Sequence, residues 1–324
     1  MTQWLQLVGG GLLLYFGAEW FVGGASALAV SLRVPQLVIG LTVVAYGTSA
    51  PEVIVGIQAA LAGHGAVALG NVIGSNIANI GLILGIAALI KPAKAHGALR
   101  RRELPVLLSS TLLVPLVLLD GGIATWEAVL LVIGAAAYTI WMIRVSRVSS
   151  EATKASVALE ATAEAADAAG APKVRGGGKA LAIAFVGLLV LLIGANQFVT
   201  GAVSLARTLG MSERLVGLTI VAVGTSLPEL VTSVVAALKG HSDLAIGNVI
   251  GSNIFNALLC LGSAALVGSV GAPFASLAVD LAFLGVTTAL VAIFIRRERI
   301  ISRAEGMLAL AVYCVYLGIS LVRG

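Results

Sequence analysis

Charge is what this chain has least of: 11% of its residues are Asp, Glu, Lys or Arg while 59% are hydrophobic, and the mean hydropathy is +1.05. Soluble domains carry about 25% charged residues, so a soluble globule is excluded and the chain is read as living in lipid. Cysteine is nearly absent as well. The two present, Cys260 and Cys314, fall in apolar stretches without metal-like spacing and are read as packing residues. The N-terminus lacks a basic n-region and a cleavage site, so its first apolar stretch is read as a retained span and not a signal peptide.

What the chain has instead is a series of long apolar runs. A membrane-crossing helix needs roughly 20 apolar residues, which leaves room for about ten spans with short loops. The runs predict spans at 4–30, 36–62, 66–90, 103–120, 123–146, 180–206, 213–238, 243–268, 274–295 and 304–322. A pI near 9.5 would suit a nucleic-acid binder, but in a membrane chain the placement of the basic residues matters more. With the N-terminus outside, all but Arg207, Arg214 and Arg323 fall in alternate loops: Arg33, Lys91 to Arg102, Arg144 to Lys179, Lys239, and Arg296 to Arg303. That alternation predicts both termini outside and the central segment in the cytoplasm. It also argues against a nucleic-acid partner.

Residues 40–85 align without a gap on residues 217–262, an offset of 177, and more than half the positions are identical. GLTVVAYGTSAPE stands against GLTIVAVGTSLPE, and GNVIGSNIANIGLILG against GNVIGSNIFNALLCLG. Shared apolar bias does not match Gly, Asn, Ser, Pro and Glu in this way. Five spans per half make the second half enter from the opposite side, so the repeat is inverted and its polar motifs approach the midplane from both faces. The expected fold is an all-α polytopic membrane protein of ten transmembrane helices in two inverted five-helix repeats. Residues 1–146 form the first repeat, 147–179 a cytoplasmic linker rich in Ala, Glu, Lys and Ser, and 180–324 the second repeat. The linker has few large apolar residues with which to build a core of its own.

Glu52 and Glu229 lie inside the second and seventh spans, where an unpartnered carboxylate is costly. No Lys or Arg occurs in the core of any span, so the natural partner is a bound cation. Each follows a Gly-Thr-Ser-x-Pro run. Proline lacks an N–H, clashes with the carbonyl four residues earlier and disfavours helical geometry in the residue before it, so helices 2 and 7 are expected to break there. The break would turn carbonyls of Ala45, Gly47 and Thr48, and of Ala222, Gly224 and Thr225, toward a cavity, which irregular backbone at membrane depth requires. Hydroxyls of Thr48, Ser49, Thr225 and Ser226 stand beside them. The second block adds Ser75 and Asn79, and Ser252 and Asn256, each pair four apart on one helical face. Asn76 and Asn253 point elsewhere and are read as helix-to-helix contacts, and Gly70, Gly74, Gly247 and Gly251 as close-packing positions. An all-oxygen set without imidazole or thiolate disfavours soft metals and suits calcium and sodium, leaving magnesium and manganese open. Glu19 is a weaker candidate for the pathway. Glu103 and its mate Asp280 are read as interfacial or capping residues, and His64 and His241 as loop histidines.

These motifs resemble the paired alpha repeats of the calcium/cation antiporter superfamily, which carry GTSxPE and a GxxxGSNxxN block, and are most similar to its bacterial sodium/calcium exchanger branch. The resemblance covers all ten predicted spans. It implies an inner (plasma) membrane antiporter, not an enzyme, with no resident cofactor. Its partners would be transported Ca2+ and Na+ and the lipid bilayer, with no obligatory protein partner. It further implies that Glu52 and Glu229, with the Thr48 and Thr225 carbonyls, hold calcium. One sodium position would use the Ala45 carbonyl, Thr48, Ser49, Ser75 and Glu229; its mirror would use the Ala222 carbonyl, Thr225, Ser226, Ser252 and Glu52. Asn79 and Asn256 would line the centre. Asn256 stands where potassium-dependent relatives have aspartate, which argues against potassium dependence, and the chain lacks the large calcium-sensing loop of animal exchangers. The expected mechanism is alternating access, the first and sixth spans moving across the core. A proton/calcium antiporter with the same carboxylates is the main rival, and a cation channel a distant one.

Overall fold

In lipid, a long apolar run satisfies its own backbone hydrogen bonds by forming a helix, and helices make up nearly all of this computed structural model. Residues 2–94, 99–163, 177–211, 222–297 and 300–323 are described. Their helices are α1 (Thr2–Leu32), α2 (Gln36–Thr48), α3 (Ala50–Leu61), α4 (Gly65–Ile90), α5 (Leu104–Leu116), α6 (Thr125–Ala163), α7 (Gly177–Thr208), α8 (Ala222–Thr225), α9 (Leu227–Leu238), α10 (Ser242–Val267), α11 (Phe274–Arg297) and α12 (Arg303–Arg323). Seven of them are long and apolar enough to cross a membrane, or up to eight when the bent pair α2 and α3 counts as one span. Besides helices and loops, the described residues include a two-residue antiparallel pairing of β1 (Ala93–Lys94) with β2 (Ile300–Ile301) and an isolated antiparallel bridge between Gly122 and Gly271.

Two boundaries differ from those read in the sequence. Helix α6 does not stop at 146 but runs on to Ala163, and α7 begins at Gly177, so helix enters the expected linker from both sides. The Ala, Glu and Lys content of residues 151–163 favours helix without any apolar core. The rest of that linker, 164–176, lies outside the described residues, as does 212–221, the start of the predicted seventh span.

Helices α1 and α7 pack antiparallel along nearly their whole length. Gly10, Gly17 and Gly24 of α1 lie against Phe198, Leu191 and Ala184, while Gly187, Gly194 and Gly201 of α7 lie against Phe21, Leu14 and Leu7. Seven-residue spacing keeps each stripe on one helix face. The backbones touch so closely that a Cβ on Gly17 would stand 2.7 Å from Leu191 Cα, and one on Gly187 2.9 Å from Phe21 Cα. Small residues let helices approach in this way where the hydrophobic effect offers no drive between them.

The α1/α7 pair covers the two halves of the core unequally. A buried cluster joins α1 (Leu14, Ala18, Phe21, Val22, Ala25) to Val235 and Ala236 of α9, with Val231 packed against it, and includes no residue of α3. On α3 the mates of Val231 and Val235 are Ile54, 54% exposed, and Gln58, also exposed. On the covered side Lys239, just past α9, pairs with Glu19 of α1 at 3.0 Å. Elsewhere α10 is the most enclosed helix, crossing α2 where Gly247 meets Gly40 and Gly251 meets Leu41. This close packing agrees with the reading of Gly247 and Gly251; the partners expected for Gly70 and Gly74 fall in 212–221, outside the described residues.

Gly17→Val or Gly194→Val should destabilise the protein by about 1–3 kcal/mol or more through overpacking against backbone. Gly23→Val, where nothing lies within 4 Å, should stay within about 0.5 kcal/mol. Thermal unfolding in detergent reads this as a fall in Tm for the first two alone; equal Tm in all three would mean the α1–α7 contact is looser than described.

Candidate functional site

The two Gly-Thr-Ser-x-Pro runs fold alike. Ser49 (φ −81°, ψ 3°) separates α2 from α3, and Ser226 (φ −88°, ψ 7°) separates α8 from α9, both in the bridge region outside the helical well. The axis bends by 42° between α2 and α3. Pro51 has no N–H for the Gly47 carbonyl, so the ladder is lost there. It survives on either side: Ser49 N–H donates to the Ala45 carbonyl at 3.0 Å and Val53 N–H to Ser49 at 3.2 Å. The expectation that the Ala45 carbonyl is freed therefore needs correcting, because one of its two lone pairs is used. Ala222 opens α8, and Thr225, its last residue, is half-buried.

Glu52 and Glu229 follow in the first turns of α3 and α9, where orphan N–H groups and the helix dipole favour negative charge. Both are fully buried. Ser49 Oγ donates to Glu229 Oε1 at 3.0 Å, and Ser226 Oγ to Glu52 Oε1 at 3.3 Å. The two contacts are one contact with the halves exchanged, since 49 and 226, like 52 and 229, lie 177 apart. The other carboxylate oxygen of each, Glu52 Oε2 and Glu229 Oε2, is buried with no hydrogen-bond partner among the described residues.

The remaining candidates line α4 and α10. Asn79 and Asn256 each begin a π-helical turn, Asn79–Leu84 and Asn256–Cys260, a widening often found at functional sites. Ser75 and Ser252 are buried one turn earlier, and Ser252 Oγ has no partner among the described residues. Asn79 Nδ2 reaches Asn253 Oδ1 at 3.5 Å, and Asn76 Nδ2 donates to the Asn253 carbonyl at 3.3 Å, a helix-to-helix contact between positions 177 apart. Thr111 and Thr288, also 177 apart, meet at 3.5 Å.

Several polar residues here were not singled out in the sequence. Asn71 Nδ2 donates to the Glu52 carbonyl at 3.2 Å, and its mate Asn248 to the Glu229 carbonyl at 3.4 Å. Their identity across the repeat was the available signal. Cys260 is more than packing: its thiol donates to Asn256 Oδ1 at 3.2 Å. Thr232 Oγ1 is buried with no partner among the described residues, and its mate in the first half is Val55, so no repeat match marked it.

Other expectations are revised. Cys314 is exposed on α12. Glu19 belongs to the Lys239 ion pair. Glu103 stands at the N-cap of α5 without a side-chain capping bond; its carboxylate is buried and accepts Tyr138 O–H at 3.1 Å, as Asp280 accepts Tyr316 O–H at 3.0 Å. In both, an acid on one helix finds a tyrosine on the next, which satisfies it away from water. His64 is exposed, whereas His241 Nδ1 lies 3.1 Å from Gln36 Oε1. Burial, then the charges of Lys239 and Lys91, hold His241 below the usual histidine range. It therefore stays neutral near pH 7, and it opposes folding only when acid below its ordinary pKa forces a proton on it.

Among the described residues no three His, Cys, Asp or Glu side chains cluster as a metal site. What the arrangement offers is two carboxylates amid hydroxyls, amides and carbonyls, a donor set for hard cations. A family model described as "Sodium/calcium exchanger protein" matches residues 2–144 and 179–322. The chain is 37% identical to the putative antiporter CaxA of Alkalimonas amylolytica over 317 residues, 94% of each. It is 33% identical to the sodium/calcium exchanger MaX1 of Methanosarcina acetivorans over 341 residues, 98% of this chain and 97% of that one. The solved sodium-calcium exchanger NCX_Mj, soaked with 2.5 mM Na+ and 0.1 mM Ca2+, superposes with a TM-score of 0.82 at 31% identity over 98% of both chains. A multi-pass helical membrane protein that matches the family in both halves and superposes on a solved exchanger along nearly its whole length belongs to the sodium/calcium exchanger family.

Proposed function

We propose that this protein exchanges Na+ for Ca2+ across the membrane by alternating access, using Glu52 and Glu229 as the anionic core of one shared cation site. The observation that carries the reading is the exchanged contact. Each carboxylate is held at one oxygen by the serine of the other half and keeps its second oxygen buried without a partner among the described residues. Two such charges are costly in a low-dielectric interior unless cations offset them. One Ca2+ neutralises both, and sodium ions drawn to the same oxygens displace it, so the two ions compete and the unloaded site resists moving.

The ligands in this reading are Glu52 and Glu229; the hydroxyls of Thr48, Ser49, Thr225, Ser226, Ser75 and Ser252; the amides of Asn79 and Asn256; and the carbonyls of Ala45 and Ala222. The architecture is ten spans in two inverted five-helix repeats, 1–146 and 180–324, joined by a cytoplasmic linker at 147–179, with both termini outside. Contacts between mates, Asn76 with Asn253 and Thr111 with Thr288, are what a pseudo-two-fold axis in the membrane plane produces. The glycine-packed α1/α7 pair serves as the moving unit. It rests against α9 and leaves α3 uncovered, and sliding to the mirror position covers α3 and opens the other side.

Glu52→Gln and Glu229→Gln should each lower calcium-45 uptake into sodium-loaded proteoliposomes at least about thirtyfold, since truncating one side of a buried charge interaction costs about 2–5 kcal/mol. Full activity in both would sink the site assignment. In the wild type, an outward sodium gradient alone should drive uptake and a pH gradient alone should not. The reverse result would move the protein to proton-coupled exchange through the same carboxylates, and single-molecule currents far above about a thousand ions per second would favour a channel over the alternating access expected of an inverted repeat.

A further inference from the structure

We propose that Asn248 is a positioning residue of the cation site, turning the lone pairs of the Thr48 hydroxyl toward the ions by taking its proton, and that Ser233 fixes which way round the Asn248 amide sits. This rests on the reading above, in which Thr48 is a sodium ligand.

A threonine hydroxyl has one proton and two lone pairs. To ligate a cation it must send the proton away from the ion. Among the described residues, three acceptors lie within 3.5 Å of Thr48 Oγ1: the Val44 carbonyl at 3.1 Å, the Ala45 carbonyl at 3.5 Å and Asn248 Oδ1 at 3.0 Å. Giving the proton to Ala45 would consume the second lone pair of an oxygen that already accepts Ser49 N–H, and with it a candidate ligand. Giving it to Asn248, the nearest acceptor, leaves both the Thr48 oxygen and the Ala45 carbonyl available.

The direction of that bond is set from the far end. Asn248 is fully buried, and its amide also contacts the Glu229 carbonyl at 3.4 Å and Ser233 Oγ at 3.0 Å. A carbonyl only accepts. The amide nitrogen must therefore face Glu229, which leaves Oδ1 facing Thr48 and makes the hydroxyl the donor. One chain of polar groups thus runs from Thr48 in the first half to the backbone of Glu229 in the second.

The two halves differ here. The mate Asn71 is half-buried and donates to the Glu52 carbonyl at 3.2 Å, but the position matching Ser233 is Gly56. Asn248 has two anchors for its nitrogen where the first half offers no hydroxyl for the second. Sodium selection is accordingly set more firmly on the Thr48 side.

The test is the sodium dependence of calcium uptake in proteoliposomes, read as half-saturating sodium and maximal rate. Asn248→Ala should raise half-saturating sodium about tenfold, the loss of one hydrogen bond at a charged site, with the maximal rate largely kept; Ser233→Gly should raise it about threefold and Asn71→Ala less than Asn248→Ala. In a Thr48→Val background, where the hydroxyl is gone, Asn248→Ala should add no further shift, a non-additivity that a merely structural residue would not produce. Unchanged half-saturating sodium in Asn248→Ala, or in Ser233→Gly should the alanine variant not fold, overturns the proposal, as do fully additive effects with Thr48→Val. If Glu52→Gln and Glu229→Gln abolish uptake while these variants do nothing, this inference fails and the exchange reading stands; if the Gln variants are fully active, the reading itself has failed.

Discussion

Two carboxylates stand inside a helical membrane protein with no basic side chain paired to either among the described residues, and the rest of the structure is arranged around that constraint. Glu52 and Glu229 sit at the first turns of broken helices, so the positive ends of α3 and α9 face them and lower the cost of their charge. Each accepts one hydroxyl proton from the opposite half. Those donors are neutral and compensate only part of a buried charge. In the exchange we propose, cations offset the remainder, and the cost of the unloaded site would couple movement to ion binding.

Around this centre the helices differ in how tightly they are packed. Helices α4 and α10 are the most enclosed and carry the amides and serines, with α10 meeting α2 glycine against backbone. The α1/α7 pair is equally tight within itself, through its two glycine stripes, but its contact with the core is one-sided. The Glu19–Lys239 pair belongs to the covered side; the matching positions, Asn196 and Ala62, have no charge to pair. Side chains more than a third exposed form ion pairs worth about 0–1 kcal/mol. Such a pair adds little to the hold of the core on α1.

Much of the site was legible because the repeat doubled every signal. A proline four residues after a glycine, followed by a glutamate, predicts a broken helix from covalent geometry alone, and the bend at Ser49 and the matched torsions at Ser226 lie where the proline rule puts them. The packing glycines Gly247 and Gly251 were legible for the same reason. The features that escaped lacked a repeat match or needed a partner to acquire meaning. Thr232 and Ser233 answer to Val55 and Gly56, so no symmetry marked them. Asn248 was visible as a matched residue, yet nothing local says that it reaches Thr48, 200 positions away in the chain. Glu103 was read as interfacial or capping because it stands near the start of a span, and it does stand at the N-cap of α5; the partner of its carboxylate, Tyr138, comes from the next helix.

The sequence by itself determined the solvent, the repeat, the breaks in the helices and the identity of the central acids. All of these follow from composition, from internal identity and from the covalent restrictions of proline, which act over a few residues. Tertiary structure alone decided that each serine serves the glutamate of the other half, that an amide of the second half lies within hydrogen-bond reach of Thr48, that α1 and α7 touch backbone to backbone, and that this pair leans on α9 and not on α3. Those choices depend on which surfaces meet when the two halves interlock, and two nearly identical local sequences cannot specify an asymmetry between themselves.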